Sequence, residues 1–202
     1  MKKIYFDIET LPAPESKQEI LKKIHENKKK KKTKYSQKYQ EFFEKTTFDG
    51  AFGRIFCIAY AINDEEIKAL VGDEKEILKK FWDLAKDANL FIGHNILEFD
   101  LPFIMQRSII LQVKPSRDIS LRKYSNNPVF DTMHEWTKWS FGKNCSMDYL
   151  AHAMGLQTSK DELDGSQVYS YYQKGKYDDI VKYCKKDVKL NREIYKRIAF
   201  EY

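Results

Sequence analysis

No apolar run in the sequence approaches the roughly 20 residues that a membrane-spanning helix needs, so membrane-helix functions are excluded. No secretory leader is expected either. Two lysines open the chain, but an acid enters at Asp7 and no small-residue cleavage pattern follows. Cysteine is scarce: Cys57, Cys145 and Cys184 are odd in number and far apart, with neither zinc-ligand spacing nor a disulfide framework. That usage fits a reducing interior, and the expectation is a cytoplasmic protein with no membrane partner. Cys57 and Cys184 fall in apolar periodic segments and are expected to be buried thiols. No histidine cluster, P-loop, Gly-rich dinucleotide turn or nucleophile elbow is present, and there is no internal repeat.

What is there is an uneven distribution of charge. Residues 22–45 hold ten lysines against three glutamates, a balance of +7, while the whole chain carries +6. The body is therefore near neutral and bears one basic segment. Its centre, Lys28 to Lys32, is five adjacent like charges, which predicts a mobile or solvent-bathed stretch. It reads either as a flap that meets phosphates or as a solubilising loop. Tyr35, Tyr39, Phe42 and Phe43 are interleaved with it. These aromatics either face a nucleic acid or dock the segment onto the body.

The first ten residues carry the other anomaly. Ile4, Tyr5, Phe6 and Ile8 read as a short buried strand that Pro12 and Pro14 end. Asp7 and Glu9 lie within it, two apart and so on one face. Two buried acids that close repel and take up protons unless a cation compensates them, and hard divalent metals take carboxylate oxygens. A solvated strand end is the competing reading.

Further along, the pattern predicts helices at about 16–25 and 38–45. A hairpin follows from Arg54–Ile62 and Glu66–Val71, then an Asp73-capped helix over 74–87 and a buried strand at 90–92. Then come a helix over 99–111 with Pro102 in its first turn, mainly loop to 128, and a strand end at 129–131 running into 132–139. Trp136 and Trp139 read as packing residues. Helices starting at Ser146 and Asp164, and a final helix from 177 or 178, complete an α/β pattern of a mixed sheet flanked by helices.

Two more acids join the first pair. Asp100 lies just past the 90–92 strand. If that strand runs parallel to the first, Asp100 ends near Asp7 and Glu9; a helix cap is its other reading. Tyr183 and Asp187 stand four apart on one face of the last helix, against its apolar stripe; an Asp187 paired with Lys186 or Arg192 is the alternative. Four such carboxylates suit two divalent ions about 4 Å apart and phosphoryl hydrolysis.

The segments Tyr5-Phe-Asp-Ile-Glu-Thr10, Gly93-His-Asn-Ile-Leu-Glu-Phe-Asp-Leu-Pro102 and Tyr183-Cys-Lys-Lys-Asp-Val188 resemble the three exonuclease motifs of the DEDD superfamily. Tyr-x-x-x-Asp looks like the DEDDy subclass; the histidine subclass would want His at 182, where Lys182 stands. The likeness is to stand-alone 3′-5′ exonucleases related to the proofreading domain of family B DNA polymerases. Gly53-Arg-Ile-Phe-Cys-Ile58, Ser146-Met-Asp-Tyr-Leu150 and Asp164-Gly-Ser-Gln-Val168 extend it. The resemblance implies a ribonuclease H-like fold with a five- to six-stranded sheet, one exonuclease domain over 1–202, and a lysine-rich insertion at 15–50.

It also implies a metal-dependent exonuclease with two Mg²⁺ or Mn²⁺ ions held by Asp7, Glu9, Asp100 and Asp187. Asp7 would be shared between the ions, and Tyr183 would orient the attacking hydroxide. Thr10, Leu11, His94, Asn95 and Phe99 would lie on the substrate side, although His94 reads from its own surroundings as structural rather than as a ligand. The implied partner is single-stranded DNA or a DNA 3′ end, and the product a 5′-mononucleotide. An exoribonuclease with the same site, and a binding module without turnover, are the alternatives.

Overall fold

The computed structural model describes residues 1–31, 36–158 and 163–201. Among these, five strands form one sheet in the order β3-β2-β1-β4-β5. Strand β1 (Lys3–Leu11) is the middle strand. It pairs antiparallel with β2 (Arg54–Ile62), which pairs antiparallel with β3 (Lys68–Val71). On its other side it runs parallel to β4 (Leu90–Gly93), and β4 parallel to β5 (Val129–Asp131). The sheet is mixed, as the resemblance implies, and has five strands.

Helices cover both faces of the sheet, and the period-2 alternation of β1 decides what each face meets. Ile4, Phe6 and Ile8 enter a core with α3 (Glu74–Ala85) and α4 (Asp100–Ile110), where Ile77, Phe81, Trp82, Leu101 and Ile104 are buried. Tyr5 enters the opposite core, built with Cys184, Val188 and Tyr195 of α8 (Tyr177–Ile198). Asp7 and Glu9 share the parity of Tyr5 and so face α8. The β1–β2 register shifts between Glu9 and Thr10, leaving Phe56 as an extra residue on β2. Ile55 and Ile58 consequently join the same core although they are three apart.

Segment 12–53, between β1 and β2, carries α1 (Gln18–Lys31) and α2 (Tyr39–Glu44). The first helix runs past the expected end at 25, so Lys28 to Lys31 form its exposed last turn rather than an irregular loop. Lysines there complement the partial negative charge of a helix C-terminus, which offsets part of their mutual repulsion. Lys32, Lys34 and Tyr35 lie outside the described residues. Of the interleaved aromatics, Phe43 is buried with Ala13 and Leu21, and Tyr39 and Phe42 pack against that cluster. These side chains dock the segment onto the body. Lys28 Nζ lies 4.8 Å from the centre of the Phe42 ring.

A buried fork joins this segment to the helical layer. Arg107 on α4 donates from Nε and Nη2 to the two carboxylate oxygens of Glu74, each at 2.8 Å. Glu74 Oε1 also accepts from Ile55 N, at 2.7 Å, and Arg107 Nη1 donates to the Gly50 carbonyl. The remaining elements are α5 (Thr132–Thr137), α6 (Met147–Met154) and α7 (Val168–Gln173). Of the two tryptophans expected to pack, Trp139 stacks on His134 at 4.5 Å, whereas Trp136 is 44% exposed. Among the described residues no helix is long and apolar enough to cross a membrane.

Candidate active site

The parallel β1–β4 ladder stops at Tyr5↔Ile92. Beyond it the backbone N–H of Ile8 has lost its strand partner, and Asp100 supplies a replacement: its Oδ1 accepts from Ile8 N at 3.1 Å. The side chain of Asp100 is therefore turned toward β1 rather than spent as a helix cap, and no side-chain cap bond occurs at this helix start. This hydrogen bond brings the acid of the second motif beside the acids of the first.

Gly93, Asn95 and Asp131 set the approach to α4. A Cβ at Gly93 would sit 1.9 Å from Ile96 Cγ2, so the chain can pass this close only as glycine. Asn95 adopts φ 63°, a left-handed conformation that asparagine tolerates. Asp131, 1% exposed at the end of β5, accepts from Asn95 N and Met133 N at 3.0 Å, Leu97 N at 3.1 Å and His134 N at 3.3 Å. It clamps the 93–97 loop to the start of α5. Sequence reasoning gave Asp131 no role beyond ending a strand; an aspartate followed by Thr132 and a helix was the available signal of a cap.

From the other side, α8 brings Tyr183, Cys184 and Asp187, all buried. The Cys184 thiol donates to the Asp7 carbonyl at 3.4 Å and to Asp7 Oδ2 at 3.5 Å. Asp7, Glu9 and Cys184 each offer a ligand atom, all within 4.8 Å of one another. Asp100 and Asp187 stand outside that tight group, yet close enough for their charges to act on Asp7. Arg192, one expected partner for Asp187, donates instead to the carbonyls of Asn63 and Glu65.

The electrostatics are those of a site short of positive charge. Burial, and then the charges of Asp100 and Asp187, push the Asp7 carboxyl well above the usual carboxylate range. Burial and the Asp7 charge do the same to Glu9. Asp100 is raised to about 7, chiefly by burial, against the lowering effect of its bond from Ile8. No basic side chain is among the main influences on these three acids. A divalent cation would supply the missing charge. The donor set fits a hard ion at Asp7 and Glu9, whereas the Cys184 sulfur is a soft donor that suits zinc-like metals better. Burial, followed by the charges of Asp187, Glu9 and Asp7, raises the Tyr183 phenol far above its ordinary value, so it remains a proton donor.

Tyr183 and Asp187 line a cavity of about 510 Å³ together with Asn95, Met133 and Cys145 among others. His94 also lines it, but both ring nitrogens are engaged: Nε2 donates to the Cys145 carbonyl at 2.8 Å, and Nδ1 lies 3.0 Å from Thr132 Oγ1. Burial lowers its basicity, so the ring is neutral and serves the wall of the cleft. Of the other substrate-side candidates, Thr10 bonds Thr47 through its hydroxyl, Leu11 is buried against Val168 and Ile180, and Phe99 is half-buried at the start of α4.

Known proteins are similar to this chain in sequence and in fold. The DNA polymerase of Archaeoglobus fulgidus is 24% identical over 144 residues, which is 66% of this chain and 18% of that protein. The family B DNA polymerase of the hyperthermophilic archaeon Pyrobaculum calidifontis superposes with a TM-score of 0.68 at 17% identity, over 98% of this chain and 24% of that one. That likeness shows the fold, and the chain spans about a fifth to a quarter of either polymerase. Asp100, Tyr183 and Asp187 all fall within residues 52–200, which match the family described as "Predicted 3'-5' exonuclease related to the exonuclease domain of PolB", and the chain belongs to that family.

Proposed function

We propose that the chain, as a single exonuclease domain, hydrolyses the terminal phosphodiester of single-stranded DNA in the 3′-5′ direction and releases 5′-mononucleotides. The observation that supports this reading most is the convergence of buried acids from distant parts of the chain, with no basic side chain among the main influences on Asp7, Glu9 and Asp100. Asp7 and Glu9, with Asp100 and Asp187 at their edge, are the residues that would hold two Mg²⁺ or Mn²⁺ ions. When bound, such ions supply an activated water and charge stabilisation at the leaving oxygen. Asp7, influenced by both Asp100 and Asp187, is the natural shared ligand. Tyr183 keeps its proton and orients the attacking water through its hydroxyl. Asn95 and Phe99 hold the terminal nucleotide, and His94 keeps the cleft wall in place.

DNA is favoured over RNA because both named relatives are DNA polymerases. The test is Asp7→Asn. Removing the shared ligand abolishes release of 5′-labelled ladders from single-stranded DNA. It also raises the metal-free melting temperature, because one of several repelling acids is gone. An Asp7→Asn protein that degrades DNA at the wild-type rate overturns the assignment. Digestion of RNA ends alone, in a side-by-side assay, transfers the reading to an exoribonuclease.

A further inference from the structure

A second groove lies beside the cavity that Tyr183 and Asp187 line. It encloses about 710 Å³, and Trp136, Lys143 and Tyr149 line it. Asn144, Cys145 and Ser146 line both spaces, so the two adjoin along residues 144–146.

The segment that forms the shared wall is tethered at both ends. Lys138 and Trp139, at φ 49° and 57°, are successive non-glycine residues in the left-handed region, an uncommon arrangement that persists only where the surroundings hold it. Trp139 provides that hold. Its ring lies 4.5 Å from His134 and parallel to it, and its Nε1 donates to Glu135 Oε1 at 3.2 Å. At the other end His94 Nε2 donates to the Cys145 carbonyl at 2.8 Å. Ser146 Oγ accepts from Tyr149 N at 3.1 Å, so this hydroxyl is spent on starting α6. His94 thereby ties the groove wall to the loop that leads to Asp100. Trp139 has taken the packing role expected of both tryptophans, and Trp136 is left 44% exposed, with Tyr149 at 62%. A single exposed aromatic is ordinary. Two that line one groove with a lysine have the composition of a single-strand path, in which rings meet bases and a cation meets the backbone.

We infer that this groove carries the nucleotides upstream of the one being removed, with a base stacked on Trp136 and Lys143 beside the phosphates. The inference rests on the nuclease reading above. It concerns the part of the strand that stays behind after each cut, not the terminal nucleotide. The shared wall and the lysine favour the same polymer as occupant over a separate protein partner. A strand gripped there remains attached when the mononucleotide leaves, so several cuts follow one encounter. Stacking on Trp136 is tolerant of sequence, since every base has a π-face.

Trp136 is its own reporter. Of the three tryptophans, Trp82 is 2% exposed with its Nε1 bonded to Ser108 Oγ, and Trp139 is already stacked on His134. Intrinsic fluorescence is followed in Ca²⁺ while oligothymidylates of rising length, from mononucleotide to hexamer, are added. In the wild type the longer oligomers quench the emission and bind tighter than the dinucleotide by roughly 5- to 150-fold, the range of one base–aromatic stack. Trp136→Leu, at an exposed position, keeps the fold and mononucleotide binding but removes that gain with length, and Trp136→Phe retains most of it. In Mn²⁺ with a heparin trap, Trp136→Leu releases fewer nucleotides per encounter. A full gain with length in Trp136→Leu overturns the inference. So does a complete quench by the mononucleotide, or an emission that changes with protein concentration in the absence of DNA, which would mark the groove as a contact between two copies of this chain. A wild-type protein that neither binds nor shortens any polynucleotide defeats the nuclease reading itself. A protein that shortens DNA while Trp136→Leu leaves the length dependence intact defeats only this inference.

Discussion

Burial among three acids decides what Tyr183 can do. A phenol held this far above its ordinary value cannot act as a base near neutrality, so in the proposed reaction its contribution would be the direction of its O–H. Tyr183→Phe keeps the ring and removes that hydrogen bond. Turnover is expected to fall by about 10²-fold with little change in KM, as steady-state kinetics on single-stranded DNA would show. Asp131 is the residue on which the geometry most depends without entering the chemistry. Asp131→Ala leaves four backbone N–H groups without their acceptor and should cost about 2–4 kcal/mol, read by denaturant unfolding. At this scale the acids are easy to single out in the sequence, because carboxylates inside apolar runs are conspicuous. Sequence reading did not foresee Asp131, which joins backbone amides beside it to two far from it along the chain, nor Cys184, which looks like any core residue until its sulfur is found against Asp7.

Among the elements, α1 departs most from expectation. Five adjacent lysines suggested a mobile or solvent-bathed stretch; Lys28 to Lys31 are indeed exposed, but in a helical last turn. Electrostatic repulsion within the turn is screened over a Debye length of about 8–10 Å, and the helix end favours positive charge, so the local penalty is smaller than residue counting suggests. Placed on a docked helix, these lysines form a fixed basic edge. Replacing all four with glutamine is expected to weaken binding of single-stranded DNA and to lower the slope of log K against log salt. The slope should fall by up to about 0.7 for each lysine that neutralises a phosphate. Titrations at several NaCl concentrations measure it; an unaltered slope makes the turn solvated surface only. The strands and α8 were readable in advance because their apolar periods are clean. The bulge opposite Glu9 was not, since Phe56 and Cys57 fit an alternating strand as well as a bulged one.

For the molecule as a whole, the acid cluster is a standing cost. Asp100 titrates at about 7 when folded and near its ordinary 3.8 when unfolded. The folded state therefore binds more protons across that window, and Asp7 and Glu9 are raised in the same direction. Metal-free protein should lose stability as pH rises from about 4 to about 7, and regain it when the pH is lowered again. Divalent metal favours the ionised acids, so Mn²⁺ should raise the melting temperature more at pH 7.5 than at pH 5. Calorimetry in EDTA and in Mn²⁺ at both pH values checks the sign; equal metal effects at the two would count against a carboxylate site. The layered α/β plan was legible from the alternation of strand and helix patterns. The pairing order was not, because nothing local to β1 says that it will lie between a neighbour from residue 54 and one from residue 90.

Strand β1 and α8 stand far apart in the order of the elements, yet they face one another across the acids. Asp7 and Glu9 therefore meet Tyr183 and Asp187 only when both elements have docked on the same sheet. A copy cut short ahead of α8 would keep the first pair of carboxylates without the wall that encloses them, so the assembled cluster reports an intact domain.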